Sequence, residues 1–268
     1  MTTPNASSVT AVVYYDALRV GLVGPAFLDL IEELSLPFTH YELGRADSVG
    51  RVRRLPESMG ELCSLIADCS QGDLCSIDLY QKARGRDWVY TPLGASLSFQ
   101  KLDGFTAAIL QMDIGSRPLE TVLEFFRRAV ALWGGRAGHI ARLPVAYCPL
   151  LYFLTWAPLM SDVDDSFAAE AKVWSKQSGR MSSVLRRCYW GNVLGVSHFR
   201  DDDALFRGTI QRLESEAAQV ILPLADDRVL VHGPESDLND ESKSNGGGDR
   251  RVERILLDAG VELIARIE

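Results

Sequence analysis

From Phe105 to Ile114 the chain is an almost unbroken run of β-favouring apolar residues, closed by Gly115 and Ser116. Immediately afterwards Leu119, Val122, Leu123, Phe126, Ala129, Val130 and Trp133 recur at steps of three and four. That spacing puts them on one helical face, with Glu120, Glu124, Arg127 and Arg128 pointing away. Pro118 suits a first helical turn, where its missing N–H goes unneeded, and Gly134–Gly135 suits the stop. The pattern predicts a buried strand leading into an amphipathic helix that packs back on a sheet.

Around this unit the pattern predicts further elements. Val9 to Tyr15 reads as a strand, Gly24–Pro25 opens a helix through about Leu34, and Pro37 to Leu43 is the next strand. A basic loop, Arg45 to Arg54, precedes helical spacing over Pro56 to Cys69. Leu74 to Tyr80 alternates as a strand does. Trp88 to Gln100 is β-like but broken by Pro92 and Gly94, and so reads as an edge strand rather than a central one. Ile140 to Trp156 fits a strand and a buried helix equally. Phe167 to Ser175 is a short helix, and Val184 to Trp190 is β-like, ending at Gly191. Asp201 to Ala217 is an amphipathic helix with Leu205, Phe206, Thr209, Ile210 and Leu213 inward, its three aspartates suiting the positive end of the helix dipole. Val220 to Leu224 and Arg228 to His232 form a hairpin. Pro234 to Asp249 is polar, with three consecutive glycines, and reads as a flexible loop. A helix, Arg250 to Ala259, and a strand, Val261 to Ile267, follow. The fold class is α+β, with mixed or antiparallel sheets and helices packed on one face of a single domain. A division into two similar halves, about 1–100 and 101–268, is open.

Composition changes this picture little: 47% hydrophobic and 24% charged residues over 268 positions are ordinary for a globular chain. The formal net charge of −8 argues against nucleic acid as a direct partner. Cys63, Cys69 and Cys75 recur every sixth residue, with Cys148 and Cys188 apart. No Cys-x-x-Cys pair exists, so free thiols in a reducing compartment are expected rather than a zinc site. The segment MTTPNASSVTA carries neither Lys nor Arg and does not read as a signal peptide. The greasiest window, Val145 to Met160, is broken by Pro149 and Pro158, short of the ~20 apolar residues of a membrane helix. A cytoplasmic protein without membrane contact is the expectation.

Motifs for nucleotide binding and for serine or zinc hydrolysis are absent. Ser197 and His198 are neighbours in sequence, whose side chains rarely face each other, and do not make a catalytic dyad. One constellation is sharper. Asp162, Asp164 and Asp165 precede Glu170-Ala171-Lys172, an acidic-x-Lys pattern of the kind metal-dependent nucleases use to hold a divalent cation and steady a phosphorane. Aspartate caps on a short helix with a solvated Glu/Lys face fit the same residues. A second stretch, Tyr189-Trp190-Gly191-Asn192, fits either a recognition surface carried by Trp190 or a buried Trp followed by a turn.

From Tyr189-Trp190-Gly191-Asn192 the order continues through Leu194-Gly195, a helix, a short hairpin, a polar loop and a final helix and strand. Together with the earlier strand–helix unit, this resembles the bacterial immunity proteins that neutralise polymorphic or type VI secretion toxins. It is most similar to the immunity protein 52 group, the partners of restriction-endonuclease-fold nuclease effectors. The resemblance spans about the C-terminal two-thirds. It implies an antitoxin that is not an enzyme, has no catalytic residue or metal, needs no cofactor and binds a cognate toxin, with Trp190, Gly191 and Asn192 as motif positions. A decoy for a nucleic-acid enzyme would present carboxylates where phosphates sit, and acidic stretches stand at Asp162–Asp165, Asp201–Asp203 and Glu235–Glu241. Candidate partner contacts are thus Asp162, Asp164 and Asp165, Trp190 and Asn192, and Asp201, Asp202 and Asp203. Helix capping and loop solubility account for the same aspartates. The competing reading is a metal-dependent nuclease built around Glu170.

Overall fold

The computed structural model of the protein describes residues 7–45, 51–68, 74–81, 93–100, 104–113, 119–144, 153–154, 165–225, 227–239 and 248–264. Its frame is a ten-stranded, wholly antiparallel sheet with strand β1 (Ser7–Asp16) in the middle. β1 pairs along its length with β6 (Phe105–Asp113) on one side and with β7 (Ala137–Pro144) on the other. Beyond β6 lie β5 (Leu93–Gln100), β4 (Leu74–Tyr80), β2 (His40–Arg45) and the two-residue β3 (Arg53–Arg54). Beyond β7 lie β9 (Gly191–Leu194), β11 (Val229–His232) and, at the edge, β10 (Val220–Pro223). A separate parallel pair joins β8 (Val184–Leu185) to β12 (Glu262–Leu263).

The strands interleave two cores through the period-two alternation of side chains. Val9, Ala11, Val13 and Tyr15 face one core; Val12 and Tyr14, from the same strand, face the other. The first core is covered by α1 (Val20–Glu33), α2 (Met59–Ala67) and α3 (Leu119–Trp133). The expected one-sided packing describes these three. The second core is roofed by α4 (Asp165–Ser175), through Ala171 and Trp174. A third cluster gathers α5 (Asp203–Ala217) and α7 (Arg250–Asp258) around Leu194, Phe199 and Val231. Among the described residues no helix is long and apolar enough to cross a membrane.

Several expectations are corrected. β5 is central, paired on both sides with β4 and β6, because it begins at Leu93 and so leaves Pro92 outside the ladder. α1 starts at Val20 and carries Pro25 within it; Gly24 is there for close approach, since a Cβ would come within 2.5 Å of Ile77 Cδ1 on β4. Gly191 opens a strand instead of closing one. In α3 the buried face also takes Phe125, and in α5 Leu205 is exposed while Ala217 is buried. The polar stretch from Pro234 begins as a short helix, α6 (Glu235–Asn239), whose Leu238 is 3% exposed and whose Leu238 carbonyl accepts from Arg142 Nη1 at 3.1 Å. Residues 240–247 lie outside the described residues. Cys63, Cys75 and Cys188 are free thiols; Cys69 and Cys148 lie outside the described residues.

Candidate functional site

Helix α4 points Glu170 toward the second core, where its carboxylate is almost wholly shielded from solvent. Arg186 Nε donates to Glu170 Oε1 at 2.8 Å and the Tyr189 hydroxyl donates to the same oxygen at 2.9 Å. Arg187 Nε lies 2.8 Å from the other oxygen. The Glu170 side chain is 1% exposed and that of Arg186 0%. Arg186 also reaches the Tyr14 hydroxyl at 3.4 Å, which itself donates to the Phe153 carbonyl at 3.2 Å. Burial raises the Tyr14 pKa, with the Arg186 charge opposing it. His139 sits in the same cluster, 4.8 Å from the Tyr189 ring and 5.7 Å from Trp174. Burial, helped by the Arg186 charge, lowers its pKa to about 3, so its ring is neutral.

This arrangement corrects the acidic-x-Lys reading. A metal site needs carboxylate oxygens that are open to a cation. Both oxygens of Glu170 are instead taken by guanidinium and phenol groups, and Lys172 is exposed, two residues further along the helix, where side chains do not share a face. Among the described residues no group of three His, Cys, Asp or Glu could hold a metal ion. Asp162 and Asp164 lie outside the described residues, and Asp165 opens α4.

Trp190 and Asn192 are internal. Asn192 clamps the turn before β9: its Nδ2 donates to the Tyr189 carbonyl at 2.8 Å and its Oδ1 accepts from the Tyr189 N–H at 3.2 Å. The Trp190 indole N–H donates to the Pro234 carbonyl at 3.0 Å, and its ring lies 4.7 Å from that of His232. With exposures of 2% and 3%, neither residue offers a partner any surface in this conformation. Of the two readings of this stretch, packing is the one that the geometry supports.

Asp201, Asp202 and Asp203 are exposed and stand together at the head of α5. Asp202 is its N-cap, accepting from the Leu205 N–H at 2.9 Å, and Asp203 pairs with Arg207 at 2.9 Å. Asp201 and the preceding Arg200 both hold left-handed backbone, φ 62° and 56°, which ordinary residues seldom adopt. They follow a tight 3-10 turn, Val196–Phe199. Its anchor is His198, whose Nδ1 accepts from the Gly195 N–H at 3.2 Å. Burial lowers the His198 pKa to about 4. The Ser197 hydroxyl donates to the Ser182 carbonyl.

The turn stands between two open clefts. One, of about 520 Å³, runs to the C-terminal segment and is bordered by Arg180, Ser183, Arg200, Gly260 and Glu262. The other, of about 510 Å³, is bordered by Gly134, Arg136, Ser182, Gly195, Asp227 and Arg228. Arg180 grips Glu262 with two nitrogens, at 2.5 and 3.2 Å, and Arg136 pairs with Asp16 at 2.5 Å. The acidic stretch read from the sequence thus adjoins a concave, arginine-rimmed surface that the sequence did not disclose. Its arginines come from four separate segments with no shared spacing, so only the topology reveals them.

No family model matches the chain, and no curated protein matches it. Its fold is similar to that of the solved Pseudomonas aeruginosa T6SS protein PA0821, at a TM-score of 0.57 and 10% sequence identity, over 96% of this chain and 73% of that one.

Proposed function

We propose that the protein is an immunity protein of a type VI secretion system, which binds a cognate toxin in the cytoplasm and blocks it without catalysing a reaction. The observation that carries this reading is the likeness to the T6SS protein, which extends over 96% of the chain and includes the N-terminal third that the sequence resemblance leaves out. Toxin neutralisation, and a nuclease as the toxin, are supported by the resemblance to the immunity protein 52 group. A net charge of −8 suits long-range attraction to a basic, nucleic-acid-binding toxin. The competing nuclease reading loses its central residue, since Glu170 is held by Arg186 and Arg187.

The test is protection. The open reading frame beside the gene is expressed from an inducible promoter in a bacterial host, with and without this protein. Growth arrest that the protein relieves, together with co-purification of the pair, is the expected result. Arrest that persists with the protein present and folded overturns the proposal.

A further inference from the structure

We infer that the seat of α6 on the first core is a docking groove for a short segment of a partner protein. That segment carries an apolar side chain followed by a carboxylate; Arg142 receives the carboxylate, and α6 is the placeholder it displaces. The identity of the partner as the toxin rests on the immunity reading above. Three observations carry the inference.

The first is an unmet charge. Arg142, on β7, is 6% exposed and makes no ion pair among the described residues. Its Nη1 donates to the Leu238 carbonyl, while its Nε has no acceptor. A guanidinium has five N–H donors, and a buried charge calls for an opposite one. A neutral carbonyl serves it less well than a carboxylate does. The neighbouring strands supply none: β7 and β9 carry no acid, and β1 carries only Asp16, at the far end from Val9, the residue opposite Arg142. Asp16 is paired with Arg136. On α3, Glu124 is paired with Arg127, and Glu120 is exposed. Glu235 and Asp237 make no ion pair with Arg142, and they leave with α6 when it is displaced.

The second is how lightly α6 is held. Five residues make little more than one turn, too short to stand alone. Pro234, Glu235 and Ser236 are exposed, and Leu238 is the one buried side chain among those described. Two further ties go to backbone carbonyls: that of Pro234 accepts from the Trp190 indole, and that of Leu238 from Arg142. Asp237 adds charge attraction to exposed Arg251 on α7. The carbonyl ties read no side chain, so another segment with an apolar residue fits the same seat. Trp190 keeps its own packing and offers only its N–H. The hinge is Gly233, whose N–H donates to the Trp190 carbonyl at 2.9 Å and where a Cβ would meet Trp190 Nε1 at 3.1 Å. Elements with few buried contacts open locally, well before the whole fold does.

The third is the occupant. What fills the seat is itself a peptide, whose Leu238 belongs to the first core, so the groove already has a peptide's dimensions and one apolar position. A permanent cap on the last carbonyls of α6 is the other role open to Arg142. It requires α6 to stay seated until the whole protein unfolds.

The experiment uses the intact, isotope-labelled chain, with hydrogen exchange and peptide titration read at the Trp190 indole and Arg142 Nε resonances. In the wild type the Trp190 indole N–H should exchange through local opening, at a rate unchanged by urea below the unfolding transition. The probes are acetylated, amidated hexapeptides: Pro-Glu-Ser-Asp-Leu-Asp, and counterparts ending in Asn, the native sequence from Pro234, or in Lys. The Asp-ended peptide should shift both resonances and bind about tenfold tighter than the Asn-ended one, the gain of a charge-assisted hydrogen bond. Arg142→Gln should erase that preference, and Arg54→Gln, on exposed β3, should not. Leu238→Ser, which loosens α6, should tighten the Asp-ended peptide about tenfold by vacating the groove more often. Should Leu238→Ser prove poorly folded, wild-type exchange and titration decide. Indole exchange only with global unfolding, no shift at Arg142, no preference for Asp over Asn, or tighter binding of the Lys-ended peptide overturns the inference. In the growth assay Arg142→Gln should lose protection; full protection by it also overturns the inference while leaving the immunity reading intact. Arg142-dependent peptide binding by a wild type that gives no protection overturns the immunity reading alone.

Discussion

Two acid–arginine groups in this molecule have nearly the same composition and opposite circumstances. Glu170 with Arg186 is walled into the second core, the two side chains 1% and 0% exposed. Asp203 with Arg207 stands on open α5, the two 58% and 75% exposed. The distances hardly differ, 2.8 against 2.9 Å, so contact geometry does not set what the groups do. The surrounding dielectric does. In the core each charge depends on its partner for all the solvation it has lost, whereas at the surface water does most of that work and the pair adds little. The buried group is a structural commitment, and the exposed one leaves its charges available to something else.

The comparison breaks most visibly at Glu170. Glu170→Ala leaves two inward guanidinium groups without a counter-charge and should cost about 3–5 kcal/mol of unfolding free energy. Glu170→Gln keeps acceptors for Arg186 and Tyr189 and should cost less. Urea titration checks both, and a loss below about 1 kcal/mol for Glu170→Ala would erase the contrast between the two groups.

Taken per pH unit, a smaller effect belongs to the histidines of the interior. The folded state holds His139 near pKa 3 and His198 near 4, both lowered mainly by burial. The unfolded chain protonates them near ~6.5, so as pH falls below that value it takes up protons that the fold refuses. Each contributes up to ~1.4 kcal/mol of destabilisation per pH unit below ~6.5, until its folded pKa is reached. His139→Phe, which keeps the aromatic packing against Tyr189 and Trp174, should flatten the acid limb of the stability curve relative to wild type. Parallel curves would place the acid sensitivity elsewhere.

The least effect is expected at α5, and it separates neighbours. Asp202→Ala removes the N-cap and should cost about 1 kcal/mol, with Asp202→Asn nearly neutral. Asp203→Ala removes only an exposed pair and should cost at most about 0.5 kcal/mol, fading with added salt. Thermal denaturation of the three variants, at low and high salt, distinguishes them. A loss at Asp203 as large as that at Asp202 would mean that the rim is structural after all.

What the sequence disclosed followed the range of the interactions involved. The unit β6–α3 and the hairpin β10–β11 were legible because periodicity and turn residues are local signals. The central place of β5 was not, because pairing with both β4 and β6 is a property of partners far along the chain. Leu238 looked like one apolar residue in a polar stretch, and only its place in the first core, with its carbonyl held by Arg142, shows why it is enclosed. Trp190 resembled a hot spot because exposed and buried tryptophans look alike in sequence; the Pro234 carbonyl decides between them. At the candidate surface the aspartates were visible as a run, while Arg136, Arg180, Arg200 and Arg228 had no shared pattern to announce them.

The central position of β1 also sets a timetable for synthesis. Asp16 pairs with Phe105, and Tyr14 pairs on its other side with Ala137. At ribosomal rates of ~5–20 residues per second, the two flanking strands leave the ribosome roughly 5–25 s after β1 does. Through that interval the apolar, β-branched and aromatic segment Val9 to Tyr15 is without either native neighbour. It is then a template for association with other chains, and its protection falls to chaperones. A polysome-bound fragment ending before Phe105 should therefore be held by trigger-type holdases, and one extending past Pro144 released.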